Sequence, residues 1–196
     1  GSEMCIRDRV IASFAKRRTI IEDGVKALAC DSAGIAVIDQ SLLDEVTALN
    51  EWPVPLMGCF DEAFLAVPSE ALVSSMKEHQ KYFHLVDDQD NLMAAFITVA
   101  NIISKKPHEV IQGNERVIRP RLADAAFFYK NDARVSLFDR REQLKTVVFQ
   151  EKLGSVYAKT ERVALLARTL AVSTGADPKV AFRAGELCKS DLVTDM

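Results

Sequence analysis

Histidine is scarce in this chain: His79, His84 and His108 are the three in 196 residues. His79 and His84 lie five apart, roughly 140° around a helix, so one helix cannot aim both at one ion. None follows His108. Cysteine is equally sparing, at 5, 30, 59 and 188, with no C-x-x-C pair. That spacing excludes a zinc knuckle or a dithiol redox motif and leaves four free thiols. G-x-S-x-G, G-x-x-x-x-G-K-[ST] and G-x-G-x-x-G are all missing, so no motif marks a nucleophile elbow or a phosphate-binding loop. No apolar run nears the roughly 20 residues of a membrane span, and residues 1–9 have no apolar segment of a secretory signal.

What remains is a composition able to form a core, since 48% of residues are hydrophobic. The net charge of −3 hides an asymmetry. Residues 39–100 carry two basic and eleven acidic side chains, whereas residues 101–168 carry fourteen basic and eight acidic. Such a split fits a part that faces a polyanion, two parts that face each other, or a solvated helix face. The carboxylates of 39–100 show no spacing that marks a general acid–base pair.

Periodicity predicts a helix over 10–30, a short strand at 34–39 and a helix over 41–50 with Ser41 as N-cap. Two prolines in "EWPVPLMGCF" (51–60) confine that run to an edge strand or extended turn. A helix follows over 67–80. "KYFHLV" (81–86) and "NLMAAFITVAN" (91–101), joined by a polar turn, predict a hairpin. Pro107 opens another helix. After about residue 120 no strand pattern remains. Ser136 and Asp139 stand in capping-box spacing at the head of a helix over 136–150. A long amphipathic helix over 155–173 offers Val156, Val163, Leu166 and Leu170 as its core side. Gly175 breaks it, and Asp177 with Pro178 starts a last helix. The isolated glycines 113, 154, 175 and 185 read as turns or caps.

One stretch, "GNERVIRPRLADAAFFYKND" (113–132), carries arginines beside aromatics. Arginine's planar fork suits phosphate recognition and stacking, and equally suits structural pairing. Arg119 and Arg121 flank Pro120, with Asp124 close by, and are expected to fix a structural junction by pairing with acids of 39–100. RNA contact is expected from Arg116, Lys130, Arg134, Arg140, Arg141, Lys145 and Lys152, with Arg140, Arg141 and Lys145 foremost.

Several phrases together, "LLDEVTALNEWP" (42–53), "FDEAFLAVPSEAL" (60–72), "MKEHQKYF" (76–83), the 113–132 stretch, "FQEKLGSVYAKTERV" (149–163) and "KSDLVTDM" (189–196), closely resemble the β subunit of the bacterial two-subunit glycyl-tRNA synthetase. Gly1-Ser2 and the residues after them read as a remnant or foreign leader over 1–9, and from about residue 10 the resemblance implies an α+β chain: a mixed α/β B3/B4-like domain over 10–134 and the truncated start of an all-helical HD-like domain over 135–196. It further implies an α2β2 enzyme of the cytoplasm that charges glycine tRNA, with ATP and magnesium used on the α subunit. Expected partners are the α subunit and glycine tRNA, without DNA or membrane; no catalytic residue, metal or cofactor is expected on this stretch. Lys189-Ser190-Asp191 stands where an HD metal pair would fall, so the helical part reads as a metal-free relic. An independent phosphohydrolase or an editing-type pocket in the α/β part are the competing classes. Asn50 and Cys59 depart from the family's usual residues and read as local surface changes.

Overall fold

The computed structural model describes residues 10–196. The expected leader over 1–9, with Cys5, lies outside the described residues. The chain divides into two compact units, the first ending at Ala126 and the second running Phe127–Met196. The division falls eight residues before the expected boundary at 134, because Asp132 and its neighbours bond into the second unit. Among the described residues no helix is long and apolar enough to cross a membrane.

In the first unit, α1 (Phe14–Asp31) leads into the two-residue strand β1 (Ile35–Ala36), α2 (Gln40–Leu49) and β2 (Val54–Cys59). A short α3 (Ser69–Ser74) runs into a π turn over Ser75–His79, before β3 (Phe83–Val86), β4 (Leu92–Ala100) and the first part of α4 (Pro107–Asp132). The sheet is antiparallel in the order β1-β3-β4-β2, so the expected hairpin is present and the proline-bearing strand is indeed an edge. Successive strand side chains alternate faces, which builds two cores. Phe83, Leu85, Ala95 and Ile97 meet Ile21, Val25 and Ala29 of α1 and Leu42, Leu43 and Val46 of α2. Tyr82 and Phe96 meet Leu72, Met76, Ile118 and Leu122 on the other face, with the Tyr82 and Phe96 rings stacked at 4.5 Å.

Two capping details differ from expectation. Asp39, not Ser41, caps α2, its Oδ1 accepting from the Leu42 N–H at 3.0 Å; the carboxylate also accepts from the Ser41 hydroxyl. A charged acceptor outcompetes a hydroxyl for the helix's first donors. Asn50 is buried rather than superficial, and its Nδ2 donates to the Val46 carbonyl at 2.8 Å.

In the second unit the expected helix over 136–150 breaks up. Ser136 caps a single turn, α5 (Leu137–Arg140), followed by a 3-10 turn over Arg141–Lys145. The strand β5 (Val148–Gln150) then pairs with β6 (Gly154–Ser155), turning at Gly154 with φ 82°, so the unit is not all-helical. The long helix α6 (Val156–Thr174), closed by left-handed Gly175, and α7 (Pro178–Leu187), capped by Asp177, form as expected. Their packing does not follow the leucine stripe. The buried side of α6 is Val156, Thr160, Ala164 and Ala171, because Gly185 of α7 lies against Ala164 so closely that an added Cβ would come within 2.5 Å of its Cα. Gly113 and Gly185 are helix-interior residues rather than turns.

Gly24 and Gly113 test this packing with opposite signs. A Cβ at Gly24 would sit 2.7 Å from the Pro55 ring, whereas one at Gly113 would meet nothing. Gly24→Ala should cost about 1–3 kcal/mol, and Gly113→Ala should gain about 0.5–1 kcal/mol. Urea unfolding of the chain checks both, with the same slope on denaturant for each variant.

Candidate nucleic-acid interface

Helix α4 is held to the sheet along one side. Ile118, Leu122 and Ala125 bury into the core. Tyr82 Oη donates to Asn114 Oδ1 at 2.6 Å, and Glu115 Oε1 accepts the backbone N–H of Cys59 at 2.9 Å. Burial pushes the Tyr82 hydroxyl up to about 12, with the charge of Arg121 pulling weakly the other way. These contacts fix the rotation of the helix, so its opposite side faces solvent. His108, Gln112, Arg116 and Arg119, at steps of four, four and three, share that exposed side. They span about 16 Å of helix at 1.5 Å per residue.

Pro120 lies inside α4 rather than at a break between domains. It is exposed, and only the Arg116 carbonyl loses its intrahelical donor, which water can replace on that side. Arg119, Arg121 and Asp124 are exposed as well. Among the described residues none of the three forms an ion pair, so the expected pairing of the arginines with the acidic stretch is absent. The basic residues of 39–100 pair within that stretch instead: Lys77 with Asp39 at 2.8 Å and Lys81 with Glu45 at 2.9 Å. Arg116, Lys130, Arg134 and Lys152 are likewise exposed without an ion-pair partner among the described residues.

The two residues expected to lead RNA contact are placed quite differently. Arg140 is 7% exposed and Arg141 8%. Arg140 Nη2 meets Asp132 Oδ1 at 2.7 Å, and its Nη1 donates to the Val193 carbonyl at 3.0 Å. The Asp132 carboxylate also accepts the backbone N–H groups of Asp195 and Met196 at 3.0 Å. Arg141 pairs with Glu186 at 3.2 Å and more loosely with Glu161 at 3.8 Å, its guanidinium 4.4 Å above the Tyr157 ring. Lys145, exposed, pairs with Glu142 at 2.6 Å, which raises the lysine's pKa. The adjacent arginines are therefore structural, while the pair flanking Pro120 is free.

Catalytic groupings are sparse. A shallow polar cleft of about 220 Å³ in the first unit is lined by Ser41, Leu42, Glu45, Lys77, Glu78 and Lys81. The hydrogen bond from Lys77, then those from Ser41 and the Leu42 N–H, hold the Asp39 carboxyl far below the usual range. So weak a base cannot activate the Ser41 hydroxyl it holds. Burial first and Glu115 second push the Cys59 thiol up, opposite to an activated nucleophile. Among the described residues no group of three or more His, Cys, Asp or Glu side chains is placed to hold a metal ion.

Arg140→Ala should strand the Asp132 carboxylate and cost about 3–5 kcal/mol. Arg116→Ala should change stability by no more than about 0.5 kcal/mol. Chemical denaturation of the two variants separates buried pairing from solvent exposure; equal losses would contradict the assignment.

Comparison with known proteins supplies the kinship. The sequence model described as "Glycyl-tRNA synthetase beta subunit" matches residues 2–196. The glycine–tRNA ligase beta subunit of Marinobacter nauticus is 62% identical over 188 residues, 95% of this chain and 27% of the relative. That of Hahella chejuensis is 54% identical over 187 residues, 95% of this chain and again 27% of the relative. That of Psychromonas ingrahamii is 52% identical over 188 residues, 96% of this chain and 27% of the relative. The chain thus spans about a quarter of the length of these relatives, at 27%. A family match across all the described residues, with such identities, makes this chain a member of the glycyl-tRNA synthetase beta subunit family.

Proposed function

We propose that this stretch serves a glycine–tRNA ligase by binding the backbone of glycine tRNA through the exposed side of α4 and by supporting assembly with an α subunit. In this reading the enzyme is an α2β2 assembly of the cytoplasm. ATP and magnesium are used on the α subunit, and this stretch alone forms no glycyl-adenylate. The first unit, an antiparallel sheet with helices on both faces, corresponds to the B3/B4-like domain. The second corresponds to the start of the HD-like domain, a relic in which Ser190 and Asp191 stand without histidine.

The observation that carries the RNA half is the row of His108, Gln112, Arg116 and Arg119 on the solvent side of a helix clamped to its sheet, its arginines unpaired among the described residues. Surface arginines held by neighbouring carboxylates would have to be released before meeting phosphate; these two need no release. Arg121 flanks the row. Lys130, Arg134 and Lys152 of the second unit are exposed candidates of the same kind. Arg140 and Arg141 have no place in the interface, being committed to Asp132 and Glu186.

Each lost phosphate contact should lower the slope of log affinity against log salt by about 0.7–0.9. The doubly substituted Arg116→Ala, Arg119→Ala subunit, assembled with α, should therefore bind glycine tRNA with a slope about 1.4–1.8 shallower, at unchanged melting temperature. A salt titration of tRNA binding by the whole enzyme makes the measurement. An unchanged slope removes α4 from the interface.

A further inference from the structure

We infer that Val163, Leu166 and Leu170 on α6 form an internal contact surface, covered in the complete subunit by polypeptide of the same chain lying outside this stretch. The inference rests on the β-subunit reading above. Leu166 is 60% and Leu170 54% exposed, although four-residue spacing puts both on one side of the helix. Val163 and Ala167, both half-buried, lie between that side and the buried row of Val156, Thr160, Ala164 and Ala171. Lys159 shares the leucines' side but carries its Nζ over the Phe149 ring, 3.9 Å from the centroid, and Val163 and Ala167 bridge the rest, so the exposed leucines extend the core rather than forming an isolated surface patch.

The core they extend is incomplete. Among the described residues, nineteen of the buried hydrophobic side chains belong to the first unit and four, Leu144, Val156, Ala164 and Ala171, to the second. A unit of this size normally buries well over half its unfolded surface, and four buried apolar side chains, two of them alanine, make a thin core for it. The close approach of Ala164 to Gly185 uses small residues, and Leu166 and Leu170 stay more than half exposed. Relatives of this chain carry nearly three quarters of their length outside the matched part. The occupant that fits is an amphipathic helix from that remainder, because a missing wall of a folding core must be in place before the subunit meets another chain. A contact with the α subunit or with a second β subunit would instead leave the isolated subunit with its leucines in water.

Cysteine accessibility separates these cases in the full-length subunit, with its native cysteines replaced. Leu166→Cys and Leu170→Cys should react with a maleimide about 100-fold or more slowly than Lys152→Cys in the exposed β5–β6 turn. That protection should already be complete without α and be independent of concentration. Reaction as fast as at Lys152→Cys in the isolated subunit overturns the inference, whether protection then appears on adding α, on raising concentration, or not at all. Hydroxyl-radical oxidation of the unsubstituted subunit gives the same reading if either cysteine variant misfolds: Leu166 and Leu170 should stay unoxidised without α, and their oxidation there contradicts the proposal. Neither measurement involves RNA, so a failure of the tRNA reading and a failure of this one are distinguishable.

Discussion

The alternation of side chains along β4 is the constraint on which the first unit depends. Ala95 and Ile97 point to the α1–α2 layer, and Phe96 between them points to the other layer. Phe96 fits only because Gly58 stands opposite it in register; a Cβ there would come within 2.6 Å of the ring. The Phe96 ring stacks on Tyr82, and Tyr82 in turn holds Asn114 of α4. A one-residue slip of β4 would reverse both faces at once. The outward face of α4, and with it the arginines that meet solvent, is thus set by a glycine–phenylalanine pair inside the sheet.

Much of this architecture is legible in the sequence because the signals are local. Pro53 and Pro55 mark an edge strand, the polar turn at 87–90 marks a hairpin, and Gly175 followed by Asp177 and Pro178 marks the break between α6 and α7. What escapes is decided by partners distant in sequence. Arg140 and Arg141 look like a basic surface pair until Asp132, Val193, Glu161 and Glu186 are brought around them. Pro120 looks like a boundary, yet Ile118 and Leu122 on either side are fully buried and carry the helix through it. Periodicity in α6 points to the leucines, yet α7 packs on the small residues, because periodicity registers apolar character and not closeness of approach. The one usable signal is the row of small residues on one side of α6, Thr160, Ala164 and Ala171, of which Ala164 meets Gly185.

The arginines therefore fall into two physical classes. Arg140 and Arg141 of the second unit are desolvated and matched by carboxylates, so their contribution is to stability, and losing one leaves an unpaired charge. Those on α4 are solvated and unmatched, so their charge is available to a polyanion at little desolvation cost. The charge asymmetry along the chain does not reflect pairing of the acidic stretch with α4. Lys77 and Lys81 neutralise part of the acidic stretch from within, and the positive charge of α4 is left facing outward.

Arginine-specific modification of the whole enzyme, with and without glycine tRNA, tests this division most directly. Phenylglyoxal should modify Arg116 and Arg119 in the free enzyme, bound tRNA should protect both, and Arg140 and Arg141 should stay unmodified in either state. Modification of Arg116 and Arg119 that is indifferent to tRNA, or tRNA-dependent protection appearing instead at Arg140 and Arg141, would contradict the account.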